Sequence, residues 1–277
     1  MPSYVIMPEM QKEQLQDFLL YGKTPEQVQI LESFLIVLAN NNTIYFFDLD
    51  GTITNSPDYM IKRFNLDLEE FYNGNGNDKG FKKYSVTDFD RYKAIEYWAK
   101  ENGMSDAEAE SIENRWYEGD PLLASNPYLL AIPILKRLVN YVGEEKVKTL
   151  TAREPHLTKA TQKWHKRWFP FVKPKNILIR EDNSVNKVEF KVQTVIDEAM
   201  TDPEVPVVVI EDSEENTGAI MERTDLLGLK NVYCILMPLG QAKPTLKHER
   251  VLTLLRDPIG VQDINSLYEV ISNNVAQ

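Results

Sequence analysis

Ile44-Tyr45-Phe46-Phe47-Asp48-Leu49-Asp50-Gly51-Thr52 is the stretch on which the fold turns. Four apolar residues read as a buried strand, and two carboxylates spaced i, i+2 follow at its carboxyl end. Ionised side chains are placed beside a buried strand where a cation or a bound group offsets the cost of desolvation. In a doubly wound α/β sheet that place is the crevice outside the carboxyl ends of the strands. Gly51 permits a sharp turn there and lets main-chain amides approach an anion. The competing interpretation is an Asp-Gly hairpin, which demands a second alternating strand at once. Ile53-Thr54-Asn55-Ser56-Pro57 and a long polar, helix-patterned stretch follow instead, so the hairpin is set aside.

Two further strands end in polar residues. Val147-Lys148-Thr149-Leu150-Thr151-Ala152-Arg153 follows a helical segment that begins near Pro133 and ends at Gly143. Thr151 falls at the strand end, where its hydroxyl and the following amides can donate to an anion. Thr-Ala-Arg is equally ordinary helix-start chemistry, and Arg153 reads equally as a solvated surface charge. Pro206-Val207-Val208-Val209-Ile210 is a continuous run of the kind a fully buried parallel strand requires. Glu211-Asp212-Ser213-Glu214-Glu215-Asn216 follows it. Glu214 and Glu215 read as acidic residues favoured at a helix N-terminus.

Asp48-Leu49-Asp50-Gly51-Thr52 resembles the first motif of the haloacid dehalogenase-like hydrolases, and Thr151, a lysine near a later helix start and the Glu211-Asp212 cluster match the others in order. The resemblance spans about residues 43 to 240. It implies an α/β fold with a doubly wound parallel, Rossmann-like sheet and a smaller α-helical cap. It makes Asp48 the nucleophile, Asp50 the general acid/base and Thr151 a phosphoryl-oxygen donor. It implies Mg²⁺ held by Asp48, the Asp50 main-chain carbonyl and Asp212, with Glu211 helping directly or through water. Many family members carry a second Asp four residues after Asp212. Here the residue is Asn216, either a ligand or an orienting group. For the lysine, Lys187 and Lys191 share one face of a helix start. Lys191, set among Phe190, Val192, Val195 and Ile196, is preferred.

The interval between the first and second motifs is about a hundred residues, more than a crossover needs. It holds an expected helix from Asp88 to Asn102, and another opened by Ser105-Asp106-Ala107-Glu108 and ended at Gly119. The expected division is an N-terminal helical segment over 1–42, a core over 43–57 and 126–277, and a helical cap over 58–125. Helices are expected over 8–21 and 24–40. The second opens at Thr24-Pro25-Glu26-Gln27 and carries an apolar face through Phe34, Val37 and Leu38. Tyr59, Phe64, Tyr92, Tyr97, Trp98 and Trp116 read mainly as cap core.

Several function classes are excluded by composition. A net charge of −11 argues against broad contact with nucleic-acid backbones. In Trp164-His165-Lys166-Arg167-Trp168 the tryptophans, at i, i+4, are expected on the core with the charges solvated. Asn73-Gly74-Asn75-Gly76-Asn77-Asp78-Lys79-Gly80 fails as a dinucleotide fingerprint, because Lys79 stands where the third glycine belongs and no strand precedes it. It reads as a cap loop. His156, His165 and His248 lie in no metal-ligand spacing. Cys234, the single cysteine, reads as a small buried hydrophobe. No membrane-spanning run is present, and a cytoplasmic location is expected. These features together lead to a Mg²⁺-dependent phosphomonoester hydrolase acting on a small phosphorylated metabolite or nucleotide through an aspartyl-phosphate. A phosphomutase and a non-catalytic phosphate-ligand-binding protein are the alternatives.

Overall fold

Apolar runs become strands covered on both faces, and among the described residues six strands form one all-parallel sheet. The computed structural model describes residues 30, 33, 34, 36–74, 84, 100–116, 123–128, 131–238 and 244–254. In chain order the elements are β1 (Ile44–Asp48), α1 (Ser56–Gly74), α2 (Asp106–Trp116), α3 (Ala131–Val142), β2 (Val147–Thr151) and α4 (Thr158–Trp168). They continue with β3 (Ile177–Ile179), α5 (Lys187–Thr201), β4 (Val207–Glu211), α6 (Glu214–Leu226), β5 (Val232–Leu236) and β6 (Val251–Thr253). The strands lie in the order β3-β2-β1-β4-β5-β6. The chain therefore winds outward from β1 to one edge, returns to the centre at β4 and winds out to the other edge. The direction reverses between β1 and β4, which is where a doubly wound sheet opens its ligand crevice.

Successive residues of the central strands serve opposite layers. Tyr45, Phe47, Val208, Ile210 and Ile235 enter a core shared with Phe34, Val37 and Leu38, with Leu135 and Leu138 of α3, and with Trp164 of α4. Phe46, Val207, Val209, Cys234 and Leu236 meet Val192, Val195 and Ile196 of α5 and Ile220 and Met221 of α6. Each such fully buried side chain contributes ~1.5–3 kcal/mol, so these two layers fix the sheet and with it the strand ends. Burial pushes the Cys234 thiol well above its usual range, in keeping with an inert packing residue.

Local signals set the helix limits. Asn186 caps α5 by accepting from Val188 N at 2.8 Å and Glu189 N at 3.3 Å. Ser213 caps α6 by accepting from Asn216 N. Ser105 and Glu108 form the reciprocal capping pair that the sequence announces at α2. α3 stops at Gly143, whose φ of 93° only glycine adopts freely.

Between β1 and α3 the chain leaves the core and returns beside its point of departure. Asn55 N donates to Asn126 O at 2.8 Å and Tyr128 N to Ile53 O at 3.0 Å. The Trp164 indole donates to Ser125 O at 2.7 Å and ties the return strand to α4. Within the excursion, Asn65 of α1 pairs with both backbone groups of Tyr84, whose ring meets Phe64 and whose hydroxyl donates to Glu101 at 2.6 Å. The expected helix over 8–21, most of the one over 88–102, the loop beyond Gly74, and Tyr92, Tyr97 and Trp98 lie outside the described residues.

Candidate active site

The two central strands each deliver a carboxylate to the reversal crevice: Asp48 ends β1 and Glu211 ends β4. Asp212 follows on the next residue. Ligand atoms of Asp48, Glu211 and Asp212 lie within 4.8 Å of one another, and all three residues are buried. Lys191 reaches them from the first turns of α5. Its Nζ donates to Asp48 Oδ1 at 2.5 Å and to Glu211 Oε2 at 2.7 Å. Burial is the largest influence on Lys191 and opposes its charge. The Asp48 and Glu211 carboxylates outweigh it and hold the ammonium above its usual range. Burial, with the Asp212 charge adding to it, pushes Glu211 up, and Lys191 offsets part of that rise.

Lys191 thus bridges two strand ends, whereas Lys187 points elsewhere. Lys187 pairs with Glu154 at 3.2 Å and is well exposed. Apolar neighbours put Lys191 on the buried face of α5, and the same face packs against β1 and β4.

Three carboxylates buried together concentrate negative charge that is costly to desolvate. Hard oxygen donors in such a group suit Mg²⁺ or a similar cation rather than the metals that thiolates and imidazoles select. Asn216 meets the trio through Glu211. Its Nδ2 donates to Glu211 Oε1 at 3.1 Å, and Ser213 N donates to the same oxygen at 3.2 Å. Glu211 is therefore held at both oxygens, by Lys191 on one and by the start of α6 on the other. Glu214 and Glu215 occupy the first turn of α6, as the helix-terminus interpretation requires. Glu214 does more than cap: its Oε1 accepts from Thr245 N, Thr245 Oγ1 and Leu246 N, and so pins the segment before β6 to α6.

Asp50 lies two residues after Asp48, just before Gly51, whose φ is 80°. Its side chain is 27% exposed and engages Arg153 in a two-pronged pair. Nε donates to Oδ2 at 2.7 Å and Nη2 to Oδ1 at 2.6 Å. Thr54 Oγ1 donates to Oδ1 at 3.4 Å. The surface-charge interpretation of Arg153 is thereby corrected: the residue is 7% exposed, because the helix after β2 folds over it. Its Nη1 donates to Thr161 Oγ1 of α4 at 3.2 Å. Thr151 ends β2 and is buried, and its Oγ1 accepts from Arg153 N at 3.4 Å.

Near Arg153 lies His165, whose burial the sequence did not announce. His165 is fully buried beside Trp164 on α4, with Nε2 3.3 Å from Thr149 Oγ1. Burial first, and the Arg153 charge second, hold it down at about 3, so it is neutral in the folded protein. Trp164 packs on the core, and Lys166 and Arg167 are solvated, as expected. His248 contacts Asp225 and lies in no metal-type cluster among the described residues.

A doubly wound sheet with acidic residues at its reversal point is a common architecture, and known structures narrow it. The chain is similar to a candidate phosphatase from Clostridium difficile, with a TM-score of 0.52 and 16% identity, over 83% of this chain and 99% of that one. It is similar to a haloacid dehalogenase-like family hydrolase from Streptococcus pneumoniae, at a TM-score of 0.51 and 16% identity, over 80% and 98% of the two chains. A third similar structure is the Protein Tyrosine Kinase A of Mycobacterium tuberculosis, at 0.50 and 15% identity, over 82% and 96%. No protein-family model matches the sequence, and no curated protein matches it. The fold is that of the haloacid dehalogenase-like hydrolases. Because a kinase name occurs beside hydrolase names on this fold, the activity has to be argued from the site. Among the described residues no helix is long and apolar enough to cross a membrane.

Proposed function

We propose that the protein is a Mg²⁺-dependent phosphomonoester hydrolase acting on a small phosphorylated metabolite or nucleotide. The observation that carries the reading is Asp48 at the reversal crevice, bound to Lys191 and within 4.8 Å of the Glu211 and Asp212 carboxylates. A buried carboxylate with a cation at one oxygen and an acidic pair beside it suits attack on a phosphoryl group better than structural service. Asp48, Asp212 and the Asp50 main-chain carbonyl, with Glu211, would hold Mg²⁺. When bound, the ion supplies Lewis-acid stabilisation of charge on phosphoryl oxygens.

Residues of the chain divide the remaining work. One carboxylate oxygen of Asp48 attacks phosphorus in line and forms an aspartyl-phosphate as the ester P–O bond breaks. Asp50 gives its proton to the leaving oxygen. It then takes a proton from the water that hydrolyses the aspartyl-phosphate, which returns Asp48 and releases phosphate. The Lys191 ammonium offsets charge on the transferring group, and the Thr151 hydroxyl donates to it. The insertion over residues 58–125 acts as a helical cap, closing over the crevice, excluding water and contacting the substrate. A cytoplasmic protein with no membrane or nucleic-acid polymer as partner fits the acidic composition.

Phosphate release from nucleoside monophosphates, sugar phosphates and an aryl phosphate tests the reading, with Mg²⁺ or EDTA, beside Asp48→Asn. Release that needs Mg²⁺ and disappears in a folded Asp48→Asn protein is the expected result. Undiminished turnover by Asp48→Asn would remove Asp48 as nucleophile, and no release from any ester would overturn the hydrolase.

A further inference from the structure

We propose that the exposed basic face of α4 docks on the acidic face of α2 in a second copy of the chain, giving a weak, salt-sensitive self-association. α4 carries Lys159, Lys163, Lys166 and Arg167 and no acidic residue, in a chain whose net charge is −11. All four are exposed. The three lysines recur at i, i+4 and i+7, which sets them on one side of the helix, while Trp164 and His165 occupy the buried side. Elsewhere on this surface cations meet carboxylates: Lys173 pairs with Glu144 and Glu145, and Lys187 with Glu154. Among the described residues Lys159, Lys163 and Lys166 have no such pair. The helix's own electrostatics favour Lys166 and Arg167 in its last turn, yet they disfavour Lys159 in its first.

α2 repeats the spacing with the opposite sign. Asp106, Glu110 and Glu113 stand at i, i+4 and i+7. Asp106 and Glu110 are exposed and have no ion pair among the described residues, whereas Glu108, off that row, is engaged by the Ser105 cap. Each row runs along about 10 Å of helix, and a lysine's flexible stem absorbs a mismatch of an ångström or so. Within one chain Asp106 and Glu110 do not meet the lysines, so both rows are open to another copy. When each copy gives α4 to its partner's α2 and receives the reverse, the contact closes as a dimer. A nucleic-acid strand fits the face less well. Trp164 is fully buried and Arg167 lies over the Trp168 ring, 4.7 Å from its centroid, so no aromatic platform is open to bases.

Sedimentation of the full chain tests the contact, with wild type, Lys163→Glu, Glu110→Lys and the double variant. Positions 163 and 110 are the middle members of their rows and face each other whichever way the helices run. Exposed ion pairs are individually weak, so wild type is expected to associate only below ~1 mM at low salt. It should dissociate as salt rises from ~0.05 to ~1 M and the Debye length shortens. Each single reversal exchanges an attraction for a repulsion and should weaken association by roughly tenfold. The double variant restores an opposite-charge pair and should recover most of that loss. A wild type monomeric to ~1 mM at low salt, an association indifferent to salt, or a double variant no stronger than the singles would each overturn the proposal. So would a monomer that instead binds a single-stranded oligonucleotide and loses it in Lys163→Glu, which would assign the face to nucleic acid.

Discussion

Replacing Lys191 by Met removes the ammonium that stands 2.5 Å from Asp48 and 2.7 Å from Glu211, beside the third buried carboxylate of Asp212. Removing one partner of a buried pair costs ~3–5 kcal/mol, because the stranded charge stays desolvated. With Lys191 5% exposed and its partners 5% and 1% exposed, water screens little of that. The expected loss is therefore about 3–5 kcal/mol, a large share of the ~5–15 kcal/mol that holds a domain together. Lys187→Met is the control. Its pair with Glu154 is 59% and 26% exposed, so about 0–1 kcal/mol is expected there. Adding Glu211→Gln to Lys191→Met removes one buried charge and should recover part of the loss. Urea unfolding at fixed ionic strength, without divalent metal, reads all four proteins. The Lys191 contribution should hold from neutral pH up to the ordinary lysine value of 10.5 and decline only as pH rises through its raised folded value. A Lys191→Met cost below about 1 kcal/mol, matching Lys187→Met, would refute the buried bridge.

Two other perturbations follow from the geometry. His165 titrates near 6.5 when unfolded and at about 3 when folded. The unfolded chain therefore takes up a proton first, and stability present above pH 6.5 is lost progressively toward pH 3. Between pH 7.5 and 5.5 wild type should lose ~1.4 kcal/mol that a folded His165→Gln protein does not lose, and parallel unfolding curves for the two would contradict the assignment. Asn216→Ala removes the donor on Glu211 Oε1 without touching Asp48 or Asp212. Mg²⁺ affinity measured by calorimetry should fall by ~10–100-fold, as for other groups that orient a metal's carboxylate, whereas an unchanged affinity would show that Ser213 N suffices to hold Glu211 Oε1.

How far the site is legible in the sequence depends on whether its signals are local. β1, β2, β4 and β5 lie in apolar runs that periodicity detects, while β3 and β6 are three-residue strands too short to show any pattern. Lys191 is distinguishable from Lys187 because Phe190, Val192, Val195 and Ile196 place it on the apolar face of its helix, which faces the sheet. The contact of Asn216 with Glu211 is only half legible, since the spacing from Glu211 to Asn216 allows it but does not say which oxygen is met. Arg153 is not legible at all. Its partner Asp50 stands 103 residues away, and only the winding of β1 beside β2 brings the two together. His165 has a local signal in Thr161 and Trp164 on the same helix face, yet neighbouring Lys166 and Arg167 mask it.

The charges at the crevice explain why these long-range partners are needed in an acidic protein. Asp48, Asp50, Glu211 and Asp212 gather at the carboxyl edge of the sheet, with Lys191 and Arg153 among their partners. A phosphate ester brings negative charge of its own into that place, within a chain whose net charge is already −11. Lys191 is shared by two carboxylates and Arg153 is paired with Asp50, so both cations are partly offset by carboxylates already present. A divalent cation at the trio would offset more of the negative charge and make the approach of an anion favourable. On this account the trio creates the demand for a metal, while the Arg153 pair offsets the Asp50 charge beside it.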